Sequence, residues 1–400
     1  MLPDRSTALP VADVAALAPG SRRPARTSAA LAPVALAAAV ALTLAGCSGS
    51  APTGGASSPG AGSETAAGAA GTEGATTYPV TVDNCGFEVT FDSTPQRVLT
   101  VKSSTTEMLL ALGLSDRVVA TAFPDGPVPA WLADAAAGNE AVAAPLTPQA
   151  PGPEAVTEVE PDLVYAGWES NLTAESAGDR GTLATLGVAS YVSPSACKGE
   201  AYMPDPLTFD DVFADITEVG TVFDVPAAAE ELVAQQRSEL DAVVPDDRGL
   251  TALWYSSGTD IPYVGAGIGA PQMIMDAAGL TNIAADVHDT WTPFGWEDVV
   301  AADPDVIVLV DAAWNTADSK IDMLEENAAT ANLTAVREQR YVVVPFAATE
   351  AGVRNVSAVV DLVERLAEVV PEAGVVPEAG VVPEAGVSPE AGSVDATAAG

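Results

Sequence analysis

Positive charge is what this chain has least of: 16 Lys and Arg stand against 55 Asp and Glu, a formal net charge of −39 over 400 residues. Such a chain repels a phosphate backbone and finds no electrostatic footing on anionic lipid, which excludes nucleic-acid binding as a function class. Histidine is nearly absent as well. The single copy, His288, argues against a zinc or manganese site built from two or three imidazoles, so no metal ligands are expected. His288 reads instead as a hydrogen-bonded loop residue or a donor in a ligand cleft. A serine nucleophile elbow is missing too, because Tyr255-Ser256-Ser257-Gly258 lacks the leading glycine. Gly265-x-Gly267-x-Gly269, with Asp286 further on, has the pattern of a dinucleotide turn. A glycine-rich turn alone is weak evidence, since the same glycines permit close backbone approach. The expectation is a protein that is not an enzyme and carries no cofactor.

Cysteine occurs three times. Cys47 closes Leu44-Ala45-Gly46-Cys47, after Arg22, Arg23 and Arg26 and an apolar stretch from Ala29 to Ala45 interrupted by Pro33 and Thr43. A positive flank, a short apolar core and small residues before the cut describe an export signal; a retained membrane helix needs about 20 apolar residues. The phrase resembles the bacterial lipobox, so residues 1–46 are expected to be removed and Cys47 to be lipidated, holding the protein on the outer face of the cell membrane. In an exported protein Cys85 and Cys197 are expected to form a disulfide, the alternative being two buried thiols. Residues 47–77, nearly all Gly, Ala, Ser, Thr and Pro, read as a flexible tether with a mean reach of roughly 30 Å. From Val369 to Gly386 Val-Val-Pro-Glu-Ala-Gly is written three times, and Val-Ser-Pro-Glu-Ala-Gly follows. Pro and Gly in each unit oppose helix, so 369–400 is expected to be a disordered tail.

The body between these ends holds roughly 290 residues, enough for two domains with their own cores. Tyr78 to Phe91 alternates around Asn84-Cys85-Gly86 as a hairpin does. Strand and helix signals then alternate: Arg97–Val101, a helix from Ser104 to Leu112, Val118–Ala122, Leu163–Tyr165 and Ala189–Val192, which is the grammar of a parallel sheet. Phe209 to Val222 and Pro226 to Val244 are helical without an intervening strand. The alternation resumes at Leu250–Tyr255 and continues through Met273–Ala278, Val299–Ala302, Val306–Val310 and Arg340–Pro345. One phrase is written twice, Glu154 to Pro161-Asp162-Leu-Val and Glu297 to Pro304-Asp305-Val-Ile, each a short helix, a Pro-Asp turn and a buried strand. The predicted fold is α/β: two three-layer α/β/α lobes with mainly parallel sheets. The N-terminal lobe is set at 78–215, a connecting helical span at 216–247 and the C-terminal lobe at 248–368.

From Thr94 to about Leu366 the chain resembles the substrate-binding proteins of bacterial ABC importers, in the class III group that carries cobalamin, ferric siderophores and haem. The matching phrases are Pro95-Gln-Arg97-Val, Thr106-Glu107-Met-Leu-Leu-Ala-Leu-Gly113, Asp116-Arg-Val and both Pro-Asp units. The resemblance implies one long helix joining the lobes, a small ligand held in the cleft between them, and a monomer that delivers it to an ABC permease with its ATPase subunits. It also implies that Glu154 and Glu297 dock onto arginines of the permease, a charge-assisted pairing at defined spacing. The alternative is that each is an acidic residue favoured in a first helical turn by the helix dipole.

Open parallel sheets bind ligands at the carboxyl ends of their strands. That rule selects Lys102, Ser103, Ser104, Trp168, Tyr255, Ser256, Trp291, Trp314 and Arg354 as candidate ligand residues. Aromatic residues are only 5% of the chain, yet four of them fall near these ends, which suits a flat, partly aromatic ligand. Lys102 and Arg354, with Arg180 and Lys198 behind them, would suit an anion. The phrases Trp168-Glu-Ser-Asn171, Asp205 to Phe213, Tyr263 to Gln272 and Ala284 to Trp291 resemble an actinobacterial subgroup proposed to bind a precursor of the deazaflavin coenzyme F-420. Ferric siderophore, cobalamin or haem remain alternatives, as do a surface scaffold lipoprotein and an exported enzyme.

Overall fold

The computed structural model describes residues 75–371. The export signal, Cys47, most of the tether and nearly all of the repeat tail lie outside the described residues. A hairpin comes first, β1 (Val80–Asn84) and β2 (Phe87–Phe91). Its two turn residues, Cys85 and Gly86, both have positive φ (57° and 78°), the tight-turn conformation that matches strand twist and that glycine adopts without strain. A disulfide joins Cys85 to Cys197.

The first lobe follows as β3 (Val98–Val101), α1 (Ser103–Ala111), β4 (Val118–Ala122), the short helices α2 (Ala133–Ala136) and α3 (Glu140–Ala143), α4 (Pro153–Val159), β5 (Leu163–Ala166), α5 (Arg180–Thr185) and β6 (Ala189–Val192). Its sheet is parallel throughout, in the order β4-β3-β5-β6. Every residue of β3 and β5 is buried, because helices cover both faces; their continuous apolar sequence has that cause.

Two packed helices lead to the second lobe, α6 (Phe209–Val222) and α7 (Pro226–Asp241). Thr208 and Asp211 cap the first reciprocally, and Pro226 opens the second at the position where a missing N–H costs nothing. Asp224, at φ 57°, separates the two; the joining helix that the family resemblance set at Pro226 to Val244 runs here from Pro226 to Asp241. Gly220 lets the pair close up, since a Cβ there would meet Ala229 Cβ at 2.4 Å. Helix α6 is bonded to the first lobe, with Ser195 Oγ donating to Asp215 at 2.9 Å.

The second lobe contains β7 (Thr251–Ser257), β8 (Tyr263–Gly265), α8 (Ala270–Ala278), β9 (Thr281–Asn282), β10 (Trp291–Pro293), α9 (Trp296–Ala302), β11 (Val306–Asp311), α10 (Ala317–Glu326), α11 (Thr334–Arg337), β12 (Tyr341–Pro345) and α12 (Asn355–Val369). Strands β7, β11 and β12 are parallel neighbours. On the other side of β7 come β8 and then the edge strand β10, both antiparallel; at three residues each they are too short to leave an alternation in the sequence. Helix α12 packs on α7 and α8, and Gln236 on α7 donates to the Val353 carbonyl at 2.8 Å. Thr76 N–H bonds Asp224 at 2.7 Å, while α12 runs through Val369. The folded body therefore takes in the end of the expected tether and the start of the expected tail.

The doubled phrase has the same build in both lobes. Helices α4 and α9 each begin after a glycine, Gly152 and Gly295, and end on a left-handed residue, Glu160 (φ 50°) and Asp303 (φ 42°). Pro161 and Pro304 then prevent continuation. The aspartate that follows pins the neighbouring strand: Asp162 accepts from the N–H of Gln96 (2.7 Å) and Arg97 (3.0 Å) before β3, and Asp305 from Thr251 N–H at 2.9 Å in β7. Pro-Asp is thus accounted for by the fold. Glu154 and Glu297 are exposed and lie over their own helix starts; a Cβ on Gly295 would come within 2.8 Å of Glu297 Cδ.

Candidate functional site

A cleft of about 400 Å³ is lined by Ser104, Trp168 and Ser193 from the first lobe and by Ser256, Trp291, Trp314, Phe346 and Glu350 from the second. These residues lie at or just beyond the carboxyl ends of β3, β5, β6, β7, β11 and β12, except Trp291, which opens β10. The hydroxyls of Ser170, Ser195, Ser257 and Thr349 add to the same lining. Among the expected ligand residues, Ser104, Trp168, Ser256, Trp291 and Trp314 face this space.

Lys102, Ser103, Tyr255 and Arg354 lie outside this lining, each held by partners of its own. Lys102 is fully buried, with Nζ ion-paired to Asp125 and set among rings from both lobes, 3.8 Å from the Trp168 centroid and 4.4 Å from those of Phe123 and Phe346. Its backbone, φ 89° and ψ 151°, lies where only glycine is comfortable; the ion pair and the rings offset that strain. Gly167 makes the arrangement possible, because a Cβ there would stand 2.8 Å from Lys102 Cβ. Ser103 exchanges two hydrogen bonds with Asp125, donating its N–H at 3.2 Å and accepting the Asp125 N–H on Oγ at 2.8 Å. Tyr255 lies edge-on to Trp296 at 5.5 Å and donates its hydroxyl to the Gly258 carbonyl at 2.7 Å; burial pushes its pKa to about 12. Arg354 reaches across to the first lobe, where it forks onto Glu107, with Nε donating at 2.5 Å, and donates to the Pro127 carbonyl at 3.1 Å. Burial pushes the Glu107 carboxyl up, against the pull of Arg354.

Two charged residues also belong to this lining, Glu350, which no sequence signal separates from other loop acids, and Lys198, which the scarcity of cations had brought forward. Glu350 follows β12 and accepts from Ser104 Oγ at 2.8 Å and from Trp168 Nε1, both across the cleft. Burial pushes its pKa to about 7, while the Lys102 charge pulls it down. Lys198, on the first lobe beside the disulfide, donates to Thr290 Oγ1 on the second at 2.8 Å, and its backbone N–H bonds Glu169 at 2.8 Å. Arg180 is occupied with Asn84 and Ser190.

The glycine-rich turn is not a phosphate cradle. The N–H groups of Ala266, Gly267 and Ile268 donate to the carbonyls of Thr290 (3.1 Å), Val287 (2.9 Å) and Asp289 (3.2 Å). A Cβ on Gly267 would lie 2.0 Å from the Ala285 carbonyl oxygen. These glycines let the segment ending at Trp291 lie against the turn, which brings that ring to the cleft.

The periplasmic binding protein family model matches residues 98–348. A cobalamin-binding protein of Halobacterium salinarum is 28% identical over 251 residues, 60% of this chain and 60% of that protein, so the chain spans less than two thirds of that relative's length. An uncharacterised ABC transporter substrate-binding lipoprotein of Bacillus subtilis is 26% identical over 72% of this chain and 86% of its own. In structure, an ABC-type Fe3+-hydroxamate transport system protein from Saccharomonospora viridis covers 73% of this chain and 99% of its own, with a TM-score of 0.61 and 29% identity. With two α/β lobes meeting at a cleft between the ends of their strands, the chain belongs to the periplasmic binding protein family, in its class III division.

Proposed function

We propose that this protein is the extracytoplasmic receptor of an ABC importer, and that it captures an organic metal chelate in the inter-lobe cleft and hands it to the permease. The observation that carries the reading is the lining: hydroxyls and indole rings at the strand ends of two facing lobes. Such groups read the periphery of a ligand, which suits a ferric hydroxamate or a corrinoid whose metal arrives already coordinated. The names of the halobacterial and Saccharomonospora relatives point the same way. A deazaflavin precursor, suggested by four phrases of the sequence, would have had Lys102 and Arg354 as anion partners, and both are closed in internal ion pairs; Lys198 would be left to face its phosphodiester and carboxylate. Anchoring through Cys47, action as a monomer and docking through Glu154 and Glu297 belong to this reading.

Titration with a ferric hydroxamate, cyanocobalamin, haemin and a deazaflavin tests it, followed by quenching of the cleft tryptophans and by thermal unfolding. A ligand at a hundred times its Kd stabilises by about 2.7 kcal/mol. The reading predicts that the hydroxamate or the corrinoid does this and that Trp314→Ala weakens it. A protein that no member of the panel stabilises would instead be a surface scaffold.

A further inference from the structure

The charges around the cleft floor do not balance. Lys102 is matched by Asp125 and Arg354 by Glu107, which leaves Glu350 facing the cleft without a cation of its own. Its oxygens accept one bond each, from Ser104 and Trp168, and a carboxylate has about four acceptor sites. Two therefore remain for a donor in the cleft. Beside it runs a chain of rings: Trp168 and Phe346 are 6.0 Å apart, Phe346 and Trp314 are 5.4 Å apart, and Trp314 is 48% exposed. Aromatic faces attract cations, most strongly where water is partly excluded. Lys102 already shows this wall holding an ammonium on its buried side. The other charged groups of the cleft are Glu169 and Lys198, which offset one another, and the net charge of −39 favours approach by cations.

We propose that the cleft selects ligands carrying a positively charged nitrogen, an ammonium or a quaternary amine, seated on Glu350 against Trp314 and Phe346. The inference deepens the receptor reading and rests on the cleft being the ligand site. It adds a polarity that the anion-binding expectation for Lys102 and Arg354 had reversed. The pKa of Glu350, pushed to about 7 by burial, with Lys102 lowering it and Asp125 raising it, gives a second signature. A cation binds the ionised carboxylate, so its affinity rises with pH, by about tenfold between pH 6 and pH 8 for a group titrating near 7.

The probes are choline and 3,3-dimethylbutan-1-ol, which match in shape and differ in charge, titrated by tryptophan fluorescence into the wild type and Glu350→Gln. The variant keeps an oxygen that accepts from Trp168 and places an N–H where the Ser104 hydroxyl can turn to accept it, and circular dichroism confirms its fold. Expected are saturable quenching by choline, at least a tenfold preference over the alcohol, and loss of both the preference and the pH slope in Glu350→Gln. Equal affinity for the two probes, saturation by neither, or a preference that survives in Glu350→Gln would overturn the inference, the last by assigning it to the general negative charge. A neutral ferric hydroxamate that binds while choline does not would refute cation selection and leave the receptor reading standing.

Discussion

Replacing Arg354 separates a ligand anchor from a strut between lobes. Its guanidinium forks onto Glu107 across 247 positions of chain, and the two side chains are 9% and 2% exposed. Arg354→Ala leaves a buried carboxylate without its partner, a change that costs about 3–5 kcal/mol. Glu107 has a folded pKa above its ordinary value, because desolvation outweighs the pull of Arg354. A raised pKa means that the contribution is fully present below the unfolded pKa and is lost as pH rises through the folded one. Removing Arg354 lifts the folded pKa further, so the variant is weakest relative to wild type at pH 8 and closes part of the gap toward pH 5. Urea unfolding at the two pH values measures this, with the midpoint shift converted through the slope. The double variant Glu107→Leu with Arg354→Met should recover most of the loss, since apolar replacement of a buried pair is often neutral. A deficit below about 1 kcal/mol at pH 8, or one that does not change with pH, would refute the assignment of Arg354 to the fold.

Cys85→Ser should lower stability by about 2–5 kcal/mol in the same assay, because the disulfide closes a loop across 112 positions; unchanged urea midpoints with and without reductant would count against it. Gly267→Ala puts a methyl group 2.0 Å from the Ala285 carbonyl oxygen and is expected to cost about 1–3 kcal/mol through forced backbone movement. Because the turn positions Trp291, that variant should also show altered cleft fluorescence. Glu154→Lys with Glu297→Lys should leave ligand affinity as it is and abolish stimulation of the importer's ATPase; stimulation at the wild-type level would return both glutamates to the role of helix-start residues.

The elements most legible in the sequence are those where local chemistry and tertiary role coincide. The run from Glu154 through Pro161-Asp162 and its second copy could be read because a proline stops each helix and a buried β-branched strand follows. The strand ends that line the cleft were legible for the same reason, and with them Trp168, Ser256 and Trp314. The ion pairs of Lys102 and Arg354 were not legible because what decides a cation's role is its partner, and these partners lie 23 and 247 positions away. Glu350 is the converse case. In the sequence it is one acid among 55, and only the meeting of β12 with the loops after β3 and β5 sets it beneath Trp168. The short antiparallel edge of the second sheet escaped because three-residue strands carry no period.

The most direct measurement is on the protein purified from its own host: denature it, then record the mass spectrum and visible absorption of what is released. An iron chelate or corrinoid, present in the wild type and depleted in Trp314→Ala, is what a chelate receptor requires. An empty protein that also gains no stability from any member of the ligand panel would contradict the receptor account.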